Sequence, residues 1–302
     1  MDILKEKIDY ASKLYNSGLD HIPATLDIIK HAMLLLNNQS TYGYFGAYNG
    51  KDIQEYHSFS YEGEMSRPVR DDLFIKDFNS FVSIFNDFHV SLKNIEKGWS
   101  GFNSQRANKV IYTSVMSVAC CFDLWRNGSR KTPGTFFEIF MAAILKWMLP
   151  GEIFSKHIPL IDQIKEGEDL SDSSSVSTDI VIKSGRYRDL NVVIPLKITT
   201  RERIVQPFAQ QRILDSYFGT GIYHSFVACI SETQQDKRKR KVNHICVPGT
   251  IRLYQKYLSS LSGLYYCDIP ERYLESDLTD VIPVKSMGDF LFDIYSFFMQ
   301  KD

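Results

Sequence analysis

The chain has almost no net charge. Across 302 residues, 35 Lys and Arg stand against 36 Asp and Glu, leaving −1. A polyanion-binding surface must therefore come from local basic clusters, since the chain as a whole supplies no excess. No run approaches the ~18 consecutive apolar residues of a bilayer span. The N-terminus, MDILKEKIDYASKLY, is charged and amphipathic and does not read as a secretory leader. Five cysteines, with Cys120 and Cys121 adjacent, show no metal-binding spacing. An odd count without a leader points to reduced thiols, hence to the cytoplasm and to no membrane partner. There is no internal repeat. A glycine-rich phosphate loop and a nucleophile elbow are both missing, which argues against the small-molecule enzymes built on them. The seven histidines (His21, His31, His57, His89, His157, His224 and His244) are scattered and read as structural or surface residues.

What is present is a core. An apolar fraction of 44%, with 13% aromatics, suffices for one large domain or two small ones. The stretch from Ser177 to Asp215 carries the chemistry. Two short apolar runs, Thr178-Asp179-Ile180-Val181-Ile182 and Val192-Val193-Ile194-Pro195-Leu196-Lys197-Ile198, each hold one ionisable residue where a strand interior is normally apolar. Paired as a hairpin, they bring Asp179 and Lys197 together at one end of a sheet. A carboxylate there can hold a divalent cation, which prefers oxygen ligands. The neighbouring ammonium can orient a water or stabilise charge growing on a phosphate. The same two residues serve as readily as an ordinary strand-end ion pair, worth ~0–1 kcal/mol. A polar turn, Thr199-Thr200-Arg201-Glu202-Arg203, follows, and a helical pattern then begins at Ile204.

An Asp, then a strand ending in x-x-Lys, then a helix, resembles the PD-(D/E)XK nucleases. With Thr199-Thr200-Arg201-Glu202-Arg203 attached, the segment is similar to the type II restriction endonucleases that read CCGG or CCNGG. The likeness spans roughly residues 130–230, about a third of the chain. It implies a Mg²⁺-dependent, sequence-specific double-strand cut in a G·C-containing palindrome. In the roles it assigns, Asp179 and the carbonyl of Leu196 hold the metal, and Lys197 positions water and stabilises the phosphate. Arg201, Glu202 and Arg203 read guanine and cytosine edges, for which arginine forks and carboxylates have the matching donors and acceptors. The usual acid two residues before the Lys is Pro195 here. The restriction branch lacks that acid too and takes a Glu about thirteen residues after the Lys, a position occupied by Gln210, with Gln211 beside it. Glu138, on the preceding apolar helix, matches another acid common in the family. The resemblance further implies double-stranded DNA as partner, a homodimer, a cognate methyltransferase acting on the same site, and a prokaryotic cytoplasm. A binding-only descendant and a non-restriction nuclease of the same superfamily stay open. So does a purely structural Glu202, since Thr199-x-x-Glu202 has capping-box spacing.

Periodicity predicts helices over residues 2–36, 71–97, 106–126, 135–149, 249–261 and 286–299, and strands at 225–230 and 244–247. Residues 41–50 read as a loop or hairpin whose aromatics either stack on bases or pack on the core. Trp99 to Ser104 reads as a break, and 150–176 as polar loop, acidic and serine-rich from Glu166 to Ser175. Arg126, Arg130 and Lys131 in one turn, and Lys237, Arg238, Lys239 and Arg240 with Lys241 in another, either meet phosphates or are simply solvated. Pro207 predicts a kink or a late start for its helix. The order from Glu138 onward fits an α/β fold: a nuclease-like core with a central mixed sheet flanked by helices. Residues 1–125 read as a helical N-terminal region decorating the same domain, and 126–302 as the core with its DNA-recognition segment.

Overall fold

A computed structural model describes residues 1–126, 129, 131–160, 174–185 and 190–299, apart from the side chains of Arg201, Glu202 and Ser276. Arg130 and residues 166–173 of the acidic stretch lie outside the described residues.

The first two helices, α1 (Asp2–Asn16) and α2 (Ile22–Gln39), follow the expected faces; Leu4, Ile8 and Ala11 of α1 are buried. Gly18, at φ +73°, ends α1: its N–H reaches Tyr15 O while Leu19 N–H reaches Leu14 O. Pro23 lies in the first turn of α2. A small antiparallel sheet comes next, formed by β1 (Thr41–Asn49), β2 (Ile53–Tyr61), β3 (Glu64–Met65) and β4 (Val69–Arg70). The 71–97 pattern becomes helical only at α3 (Phe78–Lys93), where Asp77 caps the Ser80 N–H at 2.6 Å. The break expected at 99–104 is shorter than read: Ser100 Oγ caps Asn103 N–H, and α4 starts at once (Gly101–Trp125). This helix is buried along nearly its whole length, and α5 (Thr132–Met148) packs beside it.

The stretch read as polar loop contains a strand, β5 (Ile153–Pro159). Only Ile158 of it is buried, so it carries no apolar run; it is the edge strand of the central sheet, where polar residues belong. It pairs antiparallel with β6 (Ser175–Lys183), which pairs antiparallel with β7 (Asn191–Ile194). The predicted second strand is split at Pro195, leaving β8 (Leu196–Lys197) as a separate segment. A 3₁₀ turn over Arg201–Ile204 leads into α6 (Val205–Phe218), with Pro207 in its first turn. This is the late start, and it places proline's missing N–H in the first turn, where an N–H has no intrahelical partner. Next come β9 (Tyr223–Cys229), β10 (Thr233–Asp236), β11 (Lys241–His244) and α7 (Pro248–Tyr257). The strand read at 244–247 lies three residues earlier, because the turn at 237–240, with Arg240 at φ +48°, pairs β10 tightly to β11. The chain finishes with β12 (Gly263–Tyr266), α8 (Ser276–Thr279), β13 (Val284–Ser286) and α9 (Met287–Met299).

The central sheet runs β13-β12-β9-β7-β6-β5, with β8 also on β9. Its β9, β12 and β13 are mutually parallel and its β5–β6–β7 portion antiparallel, so it is mixed. Alternate residues serve opposite faces. Ile180, Ile182, Val192, Ile194 and Ala228 pack against α4, α5 and α9 in the largest core cluster. On the other face, Val227 and Cys229 meet Phe208 of α6 and Ile251 of α7, while Val181 and Val193 meet Leu214. Among the described residues no helix is long and apolar enough to cross a membrane.

Candidate active site

The hairpin β6–β7 does bring the two ionisable residues together. Lys197 Nζ lies 3.0 Å from Asp179 Oδ2, and the same oxygen accepts the Leu196 N–H at 2.7 Å. The side chains are 16% and 30% exposed, so solvent reaches the pair without flooding it. Strand geometry fixes the direction of the Leu196 carbonyl. Pro195 O accepts from Ala228 N–H and Lys197 O from Ile230 N–H, both on the β9 side. The intervening residue must point both backbone groups the other way, as its N–H contact with Asp179 shows. The Leu196 carbonyl therefore lies on the Asp179 edge.

Glu138, on α5, stands close enough for its ionisation to respond to both residues. Burial pushes its carboxyl above the usual range; Lys156 and Lys197 act to lower it, and the Asp179 charge adds to the rise. Its close partner is Lys156 of β5, with Nζ 2.5 Å from Oε1. Lys156 also lies 4.4 Å from the centre of the Tyr15 ring. The Tyr15 phenol is raised by burial and then by the charges of Glu138 and Asp179. Thus α1, α5, β5, β6 and β8 converge on one cluster of two carboxylates and two ammoniums.

Gln210 bonds the strand two residues before Asp179. Its amide nitrogen donates to the Ser177 carbonyl at 2.7 Å, tying α6 to β6. The buried Gln211 amide bonds Asp215, Tyr223 O and Ser225, a structural role. Among the described residues no three His, Cys, Asp or Glu side chains converge as a metal cage. The donor set nevertheless fits a hard divalent cation, which accepts carboxylate and carbonyl oxygens and retains several waters. Asp179, the Leu196 carbonyl and Glu138 are the oxygens available.

The 3₁₀ turn that carries Arg201 and Glu202 follows β8 directly, but both side chains lie outside the description. Arg203 is exposed and donates to the Thr199 carbonyl at 3.3 Å. The turn has no side-chain cap of its own; Thr200 N–H is met by Glu232. Lys237, Arg238, Lys239 and Arg240 form the exposed turn of the β10–β11 hairpin. That hairpin packs beside β1, where Arg240 donates to Tyr44 O at 3.2 Å. Of the hairpin aromatics, Phe45 is buried and Tyr44 exposed. Lys156 and Glu232 escaped the sequence reading. The signal for Lys156 was hidden in an edge strand without apolar alternation. That for Glu232 was visible: a carboxylate three residues beyond a strand buried at all but one position.

No protein-family model and no curated protein matches the chain. Among solved structures, the crystal structure of the type IIP restriction endonuclease Kpn2I aligns with a TM-score of 0.91 at 75% identity, covering 100% of this chain and 99% of that one. A restriction endonuclease PspGI–substrate DNA complex aligns at a TM-score of 0.41 and 14% identity over 73% of this chain and 93% of that one, too loosely to carry an argument.

Proposed function

Because the chain belongs to the type II restriction endonucleases, site-specific deoxyribonucleases that use a divalent cation, we propose that it cuts both DNA strands at a short palindromic G·C-containing site of the CCGG or CCNGG class, with Mg²⁺ as the cation. The observation that carries the reading is the contact of Lys197 with Asp179 beside the Leu196 carbonyl, at the point where the sheet opens.

Asp179 and the Leu196 carbonyl hold the cation, Glu138 adds a second carboxylate from α5, and Gln210 stands beside them on α6, tied to the Ser177 carbonyl. Bound Mg²⁺ supplies Lewis-acid polarisation of the phosphate and a lowered pKa for bound water. Lys197 orients the attacking water and meets the negative charge that grows on the phosphate as the new P–O bond forms and the old one breaks. Arg201, Glu202 and Arg203 read base edges from the turn that follows β8. The Lys237–Arg240 turn contacts phosphates, adding salt-sensitive affinity. A palindrome calls for a two-fold homodimer, and a methyltransferase of the same specificity is the implied partner in the cell.

The test is cleavage of a phage DNA of known sequence with Mg²⁺, beside Asp179→Ala and Lys197→Ala. Discrete fragments, lost in both variants, are expected, and their ends give the site. A Mg²⁺-dependent smear would refute sequence specificity. Salt-sensitive binding without cleavage would refute the assigned chemistry.

A further inference from the structure

Glu232 is only 1% exposed, yet it is a carboxylate. A charge so placed costs several kcal/mol unless its bonds compensate, so what it bonds indicates what holds it there. Its two oxygens accept the Thr200 N–H at 2.9 and 3.1 Å. Oε1 also accepts the Thr200 hydroxyl, and Tyr266 Oη at 3.3 Å. Cys229 Sγ lies 3.7 Å away. Thr200 is the residue before the 3₁₀ turn Arg201–Ile204, which lacks a side-chain cap. Glu232 thus caps that turn from a distant part of the chain, with the negative charge that the N-terminal end of a helical turn favours. The far end of the turn is fixed separately, by Ile204 and Phe208 buried with Val227, Cys229 and Tyr266.

The same residue reaches two other parts of the site. Glu232 O accepts the Ile245 N–H at 2.8 Å, fixing the exit of the basic hairpin. Just before it, Ile230 and Ser231 donate to Lys197 O and Ile198 O, so the segment that presents Glu232 also braces the lysine strand. We propose that Glu232 is the positioning residue for sequence discrimination: it holds the Arg201–Arg203 turn in register with the lysine strand and the phosphate-contacting hairpin. This rests on the base-reading role proposed above for that turn. Bidentate base contacts are steep in geometry, and each good pair separates right from wrong bases by about ten- to a hundredfold. A turn released from its cap loses that discrimination before it loses the chemistry at Asp179.

The experiment compares kcat/KM on a duplex carrying the site mapped for the wild type with duplexes changed at one base pair. The variants are Glu232→Gln, Thr200→Val and Thr200→Ser, with Tm measured for each. Glu232→Gln keeps the shape but turns an NH₂ toward a donor; Thr200→Val removes the hydroxyl alone. Both are expected to lower the cognate-to-changed ratio at least about tenfold, with kcat at saturating cognate DNA falling by less. Thr200→Ser, which keeps the hydroxyl, should retain the ratio. Folded Glu232→Gln or Thr200→Val with the wild-type ratio, or with equal losses on all duplexes, would overturn the proposal. Should Glu232→Gln not fold, the two Thr200 variants decide. A wild type that cuts at no fixed sequence would instead overturn the base-reading role itself.

Discussion

Replacing Lys197 by Met keeps the aliphatic stem and removes one charge, and the structure fixes opposite signs for its two effects. The ammonium lies 3.0 Å from Asp179 Oδ2. At the effective dielectric suited to such sites, two unit charges at that distance interact with ~5–6 kcal/mol. The side chains are 16% and 30% exposed, so solvent and desolvation reduce the net to about 1 kcal/mol. A cation binding at Asp179 competes with that attraction, and its removal should tighten Ca²⁺ or Mn²⁺ binding by roughly fivefold. The reaction loses the group aimed at the phosphate, a loss that typically costs 10²–10³ in rate. Titration calorimetry on the protein alone reads the first effect, and single-turnover cleavage with saturating Mg²⁺ reads the second. Cleavage within tenfold of wild type, or weaker cation binding in Lys197→Met, would refute the arrangement.

Three further outcomes are expected. Asp268, with no exposed side-chain surface, accepts Tyr56 Oη at 2.8 Å and Arg70 Nη1 at 2.9 Å, joining the small sheet to the core; Asp268→Ala should cost ~3 kcal/mol, about 5 °C in Tm for a chain of this size. The Glu138 carboxyl is raised by burial, so its folded form favours the proton, and the stabilisation present in acid is lost as pH rises through the raised value; Glu138→Gln should therefore melt higher than wild type at neutral pH, lose that advantage below the ordinary carboxylate range, and cleave poorly throughout. A Cβ on Gly46 would lie 2.2 Å from Arg240 O, so Gly46→Ala should push the basic hairpin from β1, cost ~1–3 kcal/mol, and flatten the dependence of DNA affinity on salt.

The legible parts of this molecule were those where one short segment carries its own signal. Asp179 and Lys197 interrupt apolar strands that only pairing could bring together, and β6–β7 pair. The helices α1, α2, α4, α5 and α9 announced themselves because each buries a face or its whole circumference. What stayed hidden depends on neighbours. The edge strand β5 has one buried residue and took its structure from β6. Short β12 and β13 lie in a run of turn residues, and their parallel pairings, β12 on β9 and β13 on β12, are non-local. Gln210 occupies the expected position in the chain, but the helix directs its amide to Ser177 O, a matter of side-chain aim that spacing does not encode.

The site opens where the β6–β7 ladder ends, just before Pro195. The β6–β7 register pairs Ile180 with Ile194, so the next rung would set Asp179 opposite Pro195. Pro195 turns its carbonyl, and with it the place of its missing N–H, to β9, so that rung would carry no hydrogen bond to β6, and the ladder stops there. On the other side of β6, Ser155 pairs with Val181 and His157 with Ser177, so Lys156 alone faces three residues centred on Asp179. Asp179 thus sits where both ladders are interrupted, and a bulge next to a gap is how a sheet re-aims a side chain. Its carboxylate takes over the missing rung, accepting the Leu196 N–H that no β6 carbonyl meets, and this turns the Leu196 carbonyl to the same edge. Lys156 is carried toward Glu138 by the same irregularity. The Asp179 carboxylate therefore stands in for a β6 carbonyl just where the pairing ends, which leaves it and the Leu196 carbonyl on one open edge, the oxygens a cation needs.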